Sequence, residues 1–304
     1  MTATDSLPTS RPLAGIGWML LTGVLFVCVT GIVRYLGSDM PAIEAAFIRY
    51  AVGLLLVLPM LRPLLRRRPS GATLRLYTAR GLVHGIAVML WFYAMARVPI
   101  AEVTAIGYTA PIFVTLGAAV FLGEKLHARR IAAVLIGFAG AFVILRPGFE
   151  SVSLGQLAQL TAAPLFAVSF LLAKRLTDRE DPAVIVGMLS LFCTLVLLPG
   201  AILQWRTPSL EELFWLSLTA VFATAGHYTL TRAFSAAPIT VTQPVSFLQL
   251  VWAALLGMIA FGEALDPYVF AGGGIIVAAA TYISHREVLA ARRPPTPPEV
   301  ATKL

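Results

Sequence analysis

Apolar stretches follow one another along nearly the whole chain, separated only by short polar segments. They cover residues 14–36, 42–61, 75–96, 100–121, 128–145, 155–175, 183–203, 211–234, 239–261 and 267–284. A helix of about 20 apolar residues spans the ~30 Å hydrocarbon core of a bilayer. The pattern therefore predicts an all-α integral membrane protein with ten transmembrane helices.

The second half of the sequence resembles the first in a nearly constant register. The matching residues are Ala94/Ala233, Pro99/Pro238, Ile100/Ile239, Gly123/Gly262 and Glu124/Glu263 at offset 139, and Gly15/Gly155, Leu25/Leu165, Phe26/Phe166 and Leu36/Leu176 at offset 140. Each copy contains five apolar stretches. Because five is odd, the second copy must enter the bilayer from the opposite side. We therefore predict two inverted five-helix repeats, over 13–148 and 149–285, as in many secondary transporters.

The charged residues support this topology. Only 12% of the residues are charged and 58% are hydrophobic, whereas a soluble domain is about 25% charged. If both termini are cytoplasmic, 17 of the 23 Lys and Arg lie inside, four lie outside, and Arg49 and Arg80 lie within spans. This positive-inside bias predicts a multi-pass protein of the plasma or bacterial inner membrane, with cytoplasmic tails at 1–12 and 286–304, the second disordered. The net charge of +8 then implies no nucleic-acid partner.

Motifs for catalysis and for tightly bound cofactors are missing from the sequence. It contains no Gly-x-x-x-x-Gly-Lys-Ser/Thr loop, no Gly-x-Ser-x-Gly and no His-Glu-x-x-His. Its four histidines are scattered, and Cys28 and Cys193 each lie alone in an apolar stretch, as small buried hydrophobic residues do. We therefore expect no enzyme, no cofactor and no metal site.

One run of the first copy carries a family resemblance. Its segments are Tyr93-Ala94-Met95-Ala96, Pro99-Ile100-Ala101-Glu102-Val103-Thr104, Pro111-Ile112-Phe113, Phe121-Leu122-Gly123-Glu124-Lys125, Gly137-Phe138-Ala139-Gly140 and Leu145-Arg146-Pro147-Gly148. The second copy ends on Gly262-Glu263 and Gly272-Gly273-Gly274. This resembles the EamA-type repeat of the drug/metabolite transporter superfamily, and most closely the YddG-like aromatic amino acid exporters. The resemblance implies ten helices and export of amino acids or other small metabolites.

Polar residues within the third and eighth spans are candidates for a substrate site. Arg80, His84 and Trp91 fall on one face of the third span. An arginine inside a span must face protein or a water-filled cavity unless it reaches the membrane surface, and both alternatives are open for Arg80. His84, and His227 in the middle of the eighth span, either line the cavity or pack in the protein.

Further candidates lie around Pro244 and among aromatic residues placed deep in the spans. Pro244 breaks the backbone hydrogen bonding of the ninth span, where Gln243, Gln249 and Trp252 surround it. Trp18, Trp91, Tyr108, Phe166 and Trp252 lie well inside spans rather than at the membrane interfaces. Core packing and a pocket for apolar or aromatic side chains are both open for them.

The duplicated Gly-Glu motif supplies Gly123, Glu124, Gly262 and Glu263. The inversion places Glu124 at the cytoplasmic end of its helix and Glu263 at the external end, so the two carboxylates cannot share one site. Local pairing that ties a loop to a helix end is the favoured role, and a gate is the alternative.

Together these features predict a secondary transporter with a substrate site near the membrane midplane. Its expected partners are a small-molecule substrate, the lipid bilayer and, if His84 or His227 titrates during transport, protons. A passive facilitator or channel remains open, and exchange of phosphorylated sugars ranks lower because few basic residues lie in the spans. The sequence does not predict the oligomeric state.

Overall fold

The computed structural model describes residues 12–61, 69–110, 112–113, 128–146, 151–237, 242 and 245–291. The helices are α1 (Pro12–Leu36), α2 (Ala42–Val57), α3 (Gly71–Met95), α4 (Ile100–Gly107), α5 (Ala128–Leu145), α6 (Leu154–Thr177), α7 (Pro182–Leu203), α8 (Leu210–Ala236), α9 (Leu248–Phe261) and α10 (Pro267–Ala291). A short 3₁₀ helix, Leu58–Leu61, follows α2. Within these ranges there is no strand, which confirms the all-α class.

Several helices have the length and apolar character of membrane spans. Four of those described are long and apolar enough to cross a bilayer, namely Leu13–Leu36, Leu154–Thr177, Pro182–Leu203 and Leu210–Ala236. Shorter apolar helices cover Ile131–Leu145, Leu248–Phe261 and Pro267–Tyr282. α3 is 25 residues long but contains Arg80 and His84, which lower its mean hydropathy. The chain is therefore a multi-pass helical membrane protein.

Side-chain caps fix where several helices begin. Ser153 and Ser209 each accept a hydrogen bond from the backbone N–H three residues later, at Gln156 and Glu212, whose side chains bond back to the serine N–H. These reciprocal bonds satisfy amide groups that have no partner within the helix. At α7, the Asp181 carboxylate caps the first turn just before a proline, whose missing N–H costs nothing at that position.

The two copies of the repeat pack against each other through helices from both. α1 packs along α8, α3 along α6, α2 along α7, and α5 along α10. When the helices of the second copy are matched to those of the first in order, α1–α8 and α3–α6 become equivalent pairs. The core of the molecule consequently lies between the copies rather than within each one.

The backbones of α5 and α10 approach each other closely at two glycines. A Cβ atom built on Gly272 would lie 2.5 Å from the Gly140 carbonyl oxygen, and one built on Gly140 would lie 2.7 Å from the Gly272 oxygen. Small residues allow backbones to approach this closely in membranes. These glycines therefore serve helix packing within the chain.

The fourth and ninth apolar stretches are not continuous helices in their described parts. α4 ends at Gly107 and a turn follows at residues 108–109, while α9 begins only at Leu248, after a turn at Phe247. The sequence has a proline at position 111, and a proline has no N–H to continue the hydrogen bonding of a helix, in agreement with the end of α4. The interruptions at Tyr108 and Phe247 are related by the repeat, at offset 139.

Candidate functional site

Two histidines on different copies meet in the interior of the molecule. The ring centroids of His84 in α3 and His227 in α8 lie 5.0 Å apart, with the rings inclined by 72°. His84 is fully buried and His227 is 8% exposed. The structure thus brings together two residues that the sequence proposed separately, from helices that are counterparts in the repeat.

Phenylalanines from the equivalent helices α1 and α6 flank this pair. Phe26 lies 5.3 Å from His227 and Phe166 lies 5.2 Å from His84, both edge to face. Phe26 and Phe166 are themselves related by the repeat, at offset 140. His84 Nδ1 also lies 2.8 Å from Ser169 Oγ in α6, within hydrogen-bond distance. We call His84, His227, Phe26, Phe166 and Ser169 the central ring cluster.

Two buried arginines adjoin the central ring cluster. Arg49 in α2 is 4% exposed and Arg80 in α3 is 1% exposed. The Arg49 Cζ lies 3.5 Å from the centre of the Tyr50 ring, and Arg80 Nη1 donates to the Ile185 carbonyl oxygen over 3.4 Å. The Tyr50 ring in turn lies 6.3 Å from the ring of His84, and Arg80 lies one helical turn before His84 on α3. Arg80 is therefore enclosed by protein, so the structure shows no reach toward the membrane surface.

The remaining aromatic and amide candidates have further neighbours. Trp18 in α1 is half-buried, with Arg232 Cζ 5.0 Å from its ring, and half-buried Trp91 contacts the ring of Phe92. On α9, Gln249 is half-buried and Trp252 is 49% exposed.

Tyr108, which is buried, links the interruptions of the two copies. Its hydroxyl donates to the Ser246 carbonyl over 2.9 Å. Gln243 lies outside the described residues.

Glu263 ties three helix ends together. Its Oε1 lies 2.8 Å from Arg34 Nε at the end of α1, and its Oε2 accepts a 2.9 Å hydrogen bond from the Ile100 N–H at the start of α4. Gly262 ends α9 in the left-handed region, with φ of 63°, which glycine adopts without steric cost. These are the contacts of a carboxylate that joins a loop to helix ends. Gly123 and Glu124 lie outside the described residues.

The contacts of Arg34 have a counterpart in the second copy. Arg34 Nη1 donates to the Met95 carbonyl over 3.4 Å, and Lys174 Nζ donates to the Phe234 carbonyl over 2.7 Å. Lys174 matches Arg34 at offset 140, and Phe234 matches Met95 at offset 139. In each copy, therefore, a cation near the end of the first helix donates a hydrogen bond to a carbonyl in the last turn of the third helix.

The sequence did not single out Phe26, Ser169 or Tyr50 as site residues. Phe26 and Phe166 are a matched pair of the repeat, so their shared identity was a usable signal for Phe26. Ser169 and Tyr50 are common residue types in membrane helices, and only the packing of α2, α3 and α6 shows that they face the histidines.

Comparison with known proteins identifies the family. The sequence profile of the EamA-like transporter family matches this chain twice, at residues 13–146 and 153–285. The chain belongs to the EamA-like transporter family. This confirms the resemblance to the EamA-type repeat, and it establishes a small-molecule transporter rather than an enzyme.

The relatives of this EamA-family chain are named as transporters of different compounds. It is 30% identical over 288 residues to a riboflavin transporter of Vibrio cholerae, covering 93% of this chain and 97% of that one. It is 27% identical over 273 residues to an S-adenosylmethionine uptake transporter of Rickettsia bellii, covering 90% and 94%. It is 28% identical over 280 residues to a pseudopaline exporter of Pseudomonas aeruginosa, covering 89% and 96%.

A solved crystal structure shares the fold of this EamA-family chain. It is 20% identical in sequence, with a TM-score of 0.58 over 90% of this chain and 97% of the other. At that identity the likeness concerns the fold alone.

Proposed function

We propose that this EamA-family protein is a secondary transporter that exports a small metabolite from a site at the central ring cluster. Ten helices in two inverted five-helix repeats, with both termini cytoplasmic in the plasma or bacterial inner membrane, would enclose that site. Rocking of the two copies would expose it to each side in turn. Amino acids with apolar or aromatic side chains are the first substrate class to test.

The observation that supports this proposal best is the contact between His84 and His227. One histidine comes from each copy, and the flanking rings of Phe26 and Phe166 also come one from each. A polar group enclosed between two bodies that move against each other is exposed whenever they separate. Transporters of this kind bind substrate at the interface between repeats.

The wall of the cluster favours a substrate with a flat or apolar part. The rings of Phe166 and Phe170 stack at 6.0 Å, nearly parallel, beside His84. Aromatic rings bind planar ligands by offset or edge contacts, worth about 0.5–1.5 kcal/mol per pair beyond burial. Riboflavin, for which the Vibrio cholerae relative and others are named, contains such a planar part. Substrates of this shape therefore belong in the first panel beside the amino acids.

Coupling to protons is proposed through the two histidines, which have the side chain best suited to titrate near neutral pH. Passive facilitation is the alternative. A channel is disfavoured because selective pores are usually lined by rings of charge or carbonyls from several subunits, whereas this chain repeats internally.

Counterflow in proteoliposomes tests the proposed function. Vesicles containing the full chain are loaded with one unlabelled compound from a panel of amino acids and riboflavin, and uptake of the same labelled compound is followed with and without a pH gradient. A carrier shows saturable uptake that is accelerated by the internal compound. Uptake that rises linearly with concentration and is unaffected by the internal compound would favour a channel and contradict the proposal. No counterflow by any member of the panel would contradict the proposed substrate class.

A further inference from the structure

Among the residues that the structure describes, Arg49 and Arg80 are buried cations without a carboxylate partner. Two buried or half-buried carboxylates make their contacts elsewhere: Glu44, on the same helix as Arg49, accepts a hydrogen bond from the Arg206 backbone N–H over 3.0 Å, and Glu263 pairs with Arg34. Placing an arginine at the centre of a membrane helix costs about 2.5–3.5 kcal/mol on insertion scales. Two such residues on neighbouring helices, both unpaired, therefore require an explanation beyond packing.

The buried polar atoms around these arginines share one chemical property, which is that they can donate. Around these arginines, six buried side-chain atoms of the described residues have no hydrogen-bond partner: Arg49 Nη2, Arg80 Nε, Tyr50 Oη, Tyr77 Oη, His84 Nε2 and His227 Nδ1. Guanidinium and phenol groups donate, and an imidazole nitrogen donates in one tautomer or when protonated. An unsatisfied buried donor is costly, so the group that completes this region must be rich in acceptor atoms.

These donors are near one another. Tyr77, Arg80 and His84 follow at steps of three and four residues on one face of α3. Arg49 and Tyr50 approach from α2, where the Arg49 Cζ lies 3.5 Å from the centre of the Tyr50 ring and that ring lies 6.3 Å from the ring of His84. The charge of the region is positive, and the rings of the central ring cluster form its apolar side.

We propose that Arg49 and Arg80 bind an anionic group of the substrate, a carboxylate or a phosphate, while the apolar part lies against the rings of Phe26 and Phe166. Guanidinium groups bind both anions through paired N–H donors. This inference rests on the proposed function, because it assigns the substrate class of the same site. The sequence placed both arginines within spans. In the structure Arg80 lies one turn from His84 on α3, and Arg49 lies against Tyr50, whose ring is 6.3 Å from that of His84.

Binding to the purified full chain in detergent tests this proposal without requiring transport. Three matched probes are phenylacetate, phenyl phosphate and the neutral phenylacetamide, and binding is measured as the shift in melting temperature with probe concentration. We expect phenylacetate or phenyl phosphate to stabilise the protein and phenylacetamide to have no effect. The anion that binds identifies the group. Equal shifts from the neutral amide, or no shift from any probe, would overturn the proposal.

Variants locate the effect at the arginines. Arg49→Gln and Arg80→Gln should weaken binding of the anionic probe by about tenfold or more, since a hydrogen bond to a charged group is lost. Arg49→Lys and Arg80→Lys should retain part of it, and Arg97→Gln, at an exposed arginine, should retain all of it. If the glutamine variants bind the anion as the wild type does, the proposal fails.

The wild-type comparison of acid and amide remains decisive if a glutamine variant does not fold. Failed counterflow with intact anion binding would overturn the proposed function alone, and intact counterflow without anion preference would overturn this inference alone.

Discussion

Tyr108 and Phe247 occupy equivalent positions of the two copies and touch each other. They are related at offset 139, and their ring centroids lie 5.0 Å apart in an edge-to-face arrangement. Each marks the point where the fourth helix of its copy is interrupted. Discontinuous helices at the interface of two repeats form the substrate sites of many transporters, because their unpaired backbone groups can face a ligand. The Tyr108 hydroxyl satisfies one such carbonyl, that of Ser246.

Replacing Tyr108 with phenylalanine should weaken this junction. The ring contact with Phe247 persists, but the hydrogen bond to the Ser246 carbonyl is lost, which costs about 0.5–1.5 kcal/mol. We expect a lower melting temperature of the purified protein in detergent. Tyr282→Phe, at an exposed tyrosine, is the matched control and should leave the melting temperature unchanged. An equal effect of the two variants would contradict the role given to Tyr108.

The contact of α5 with α10 predicts a difference between neighbouring glycines. Gly272→Ala should lower the melting temperature, since its Cβ would lie 2.5 Å from a backbone oxygen, and overpacking costs about 1–3 kcal/mol. Gly274→Ala, where an added Cβ meets no atom within 4 Å, should be neutral or stabilising. Equal destabilisation by both variants would show that the two helices do not pack as described.

The ion pair of Arg34 with Glu263 should show energetic coupling. The side chains are 22% and 11% exposed, between a surface pair and a buried one, so a coupling of roughly 1–2 kcal/mol is expected. A double-mutant cycle with Arg34→Gln and Glu263→Gln measures it from unfolding in detergent. The same cycle on Arg206 and Glu212, of which Arg206 is 42% exposed, should give a smaller value. Coupling near zero at Arg34 and Glu263 would argue against Glu263 as the tie between α1, α4 and α9.

Coupling to protons, if it occurs, should depend on the central histidines. Replacing His84 and His227 together with glutamine removes both titrating rings while keeping polar side chains of similar reach. Transport in proteoliposomes should then lose its dependence on the pH gradient. His285→Gln, at an exposed histidine near the end of α10, is the control. Undiminished pH dependence in the double variant would exclude the two histidines as the coupling groups.

Much of the fold could be predicted because the determining signals are local or repeated. Apolar length marks helices, and the repeat offset aligned Glu124 with Glu263 and Phe26 with Phe166. The interruption at Tyr108 was harder to place, since residues 100–121 are continuously apolar and only Pro111 indicates a break. Arg80 shows a second limit: its position on the third span allowed either reach to the membrane surface or burial. The packing of α7, which supplies the Ile185 carbonyl, decided between them.

The site itself was predictable only in part. His84 and His227 stood out as rare polar residues in apolar helices, and their contact follows from how α3 and α8 approach each other across the two copies. The sequence placed Arg49 within the second span, but nothing in it placed that residue near Arg80. Contacts between helices distant in sequence depend on packing that no local pattern encodes.

Alternating exposure of the central ring cluster is the claim to test most directly. Ser169→Cys places a thiol beside His84, in a background where Cys28 and Cys193 are replaced by serine. Its reaction with a membrane-impermeant methanethiosulfonate reagent is measured in right-side-out and inside-out vesicles, with and without a compound that shows counterflow. We expect the thiol to react from both faces of the membrane, and the transported compound to slow the reaction in each orientation. A thiol that is unreactive from both faces, or whose reaction rate does not change with the transported compound, would contradict alternating exposure of the cluster.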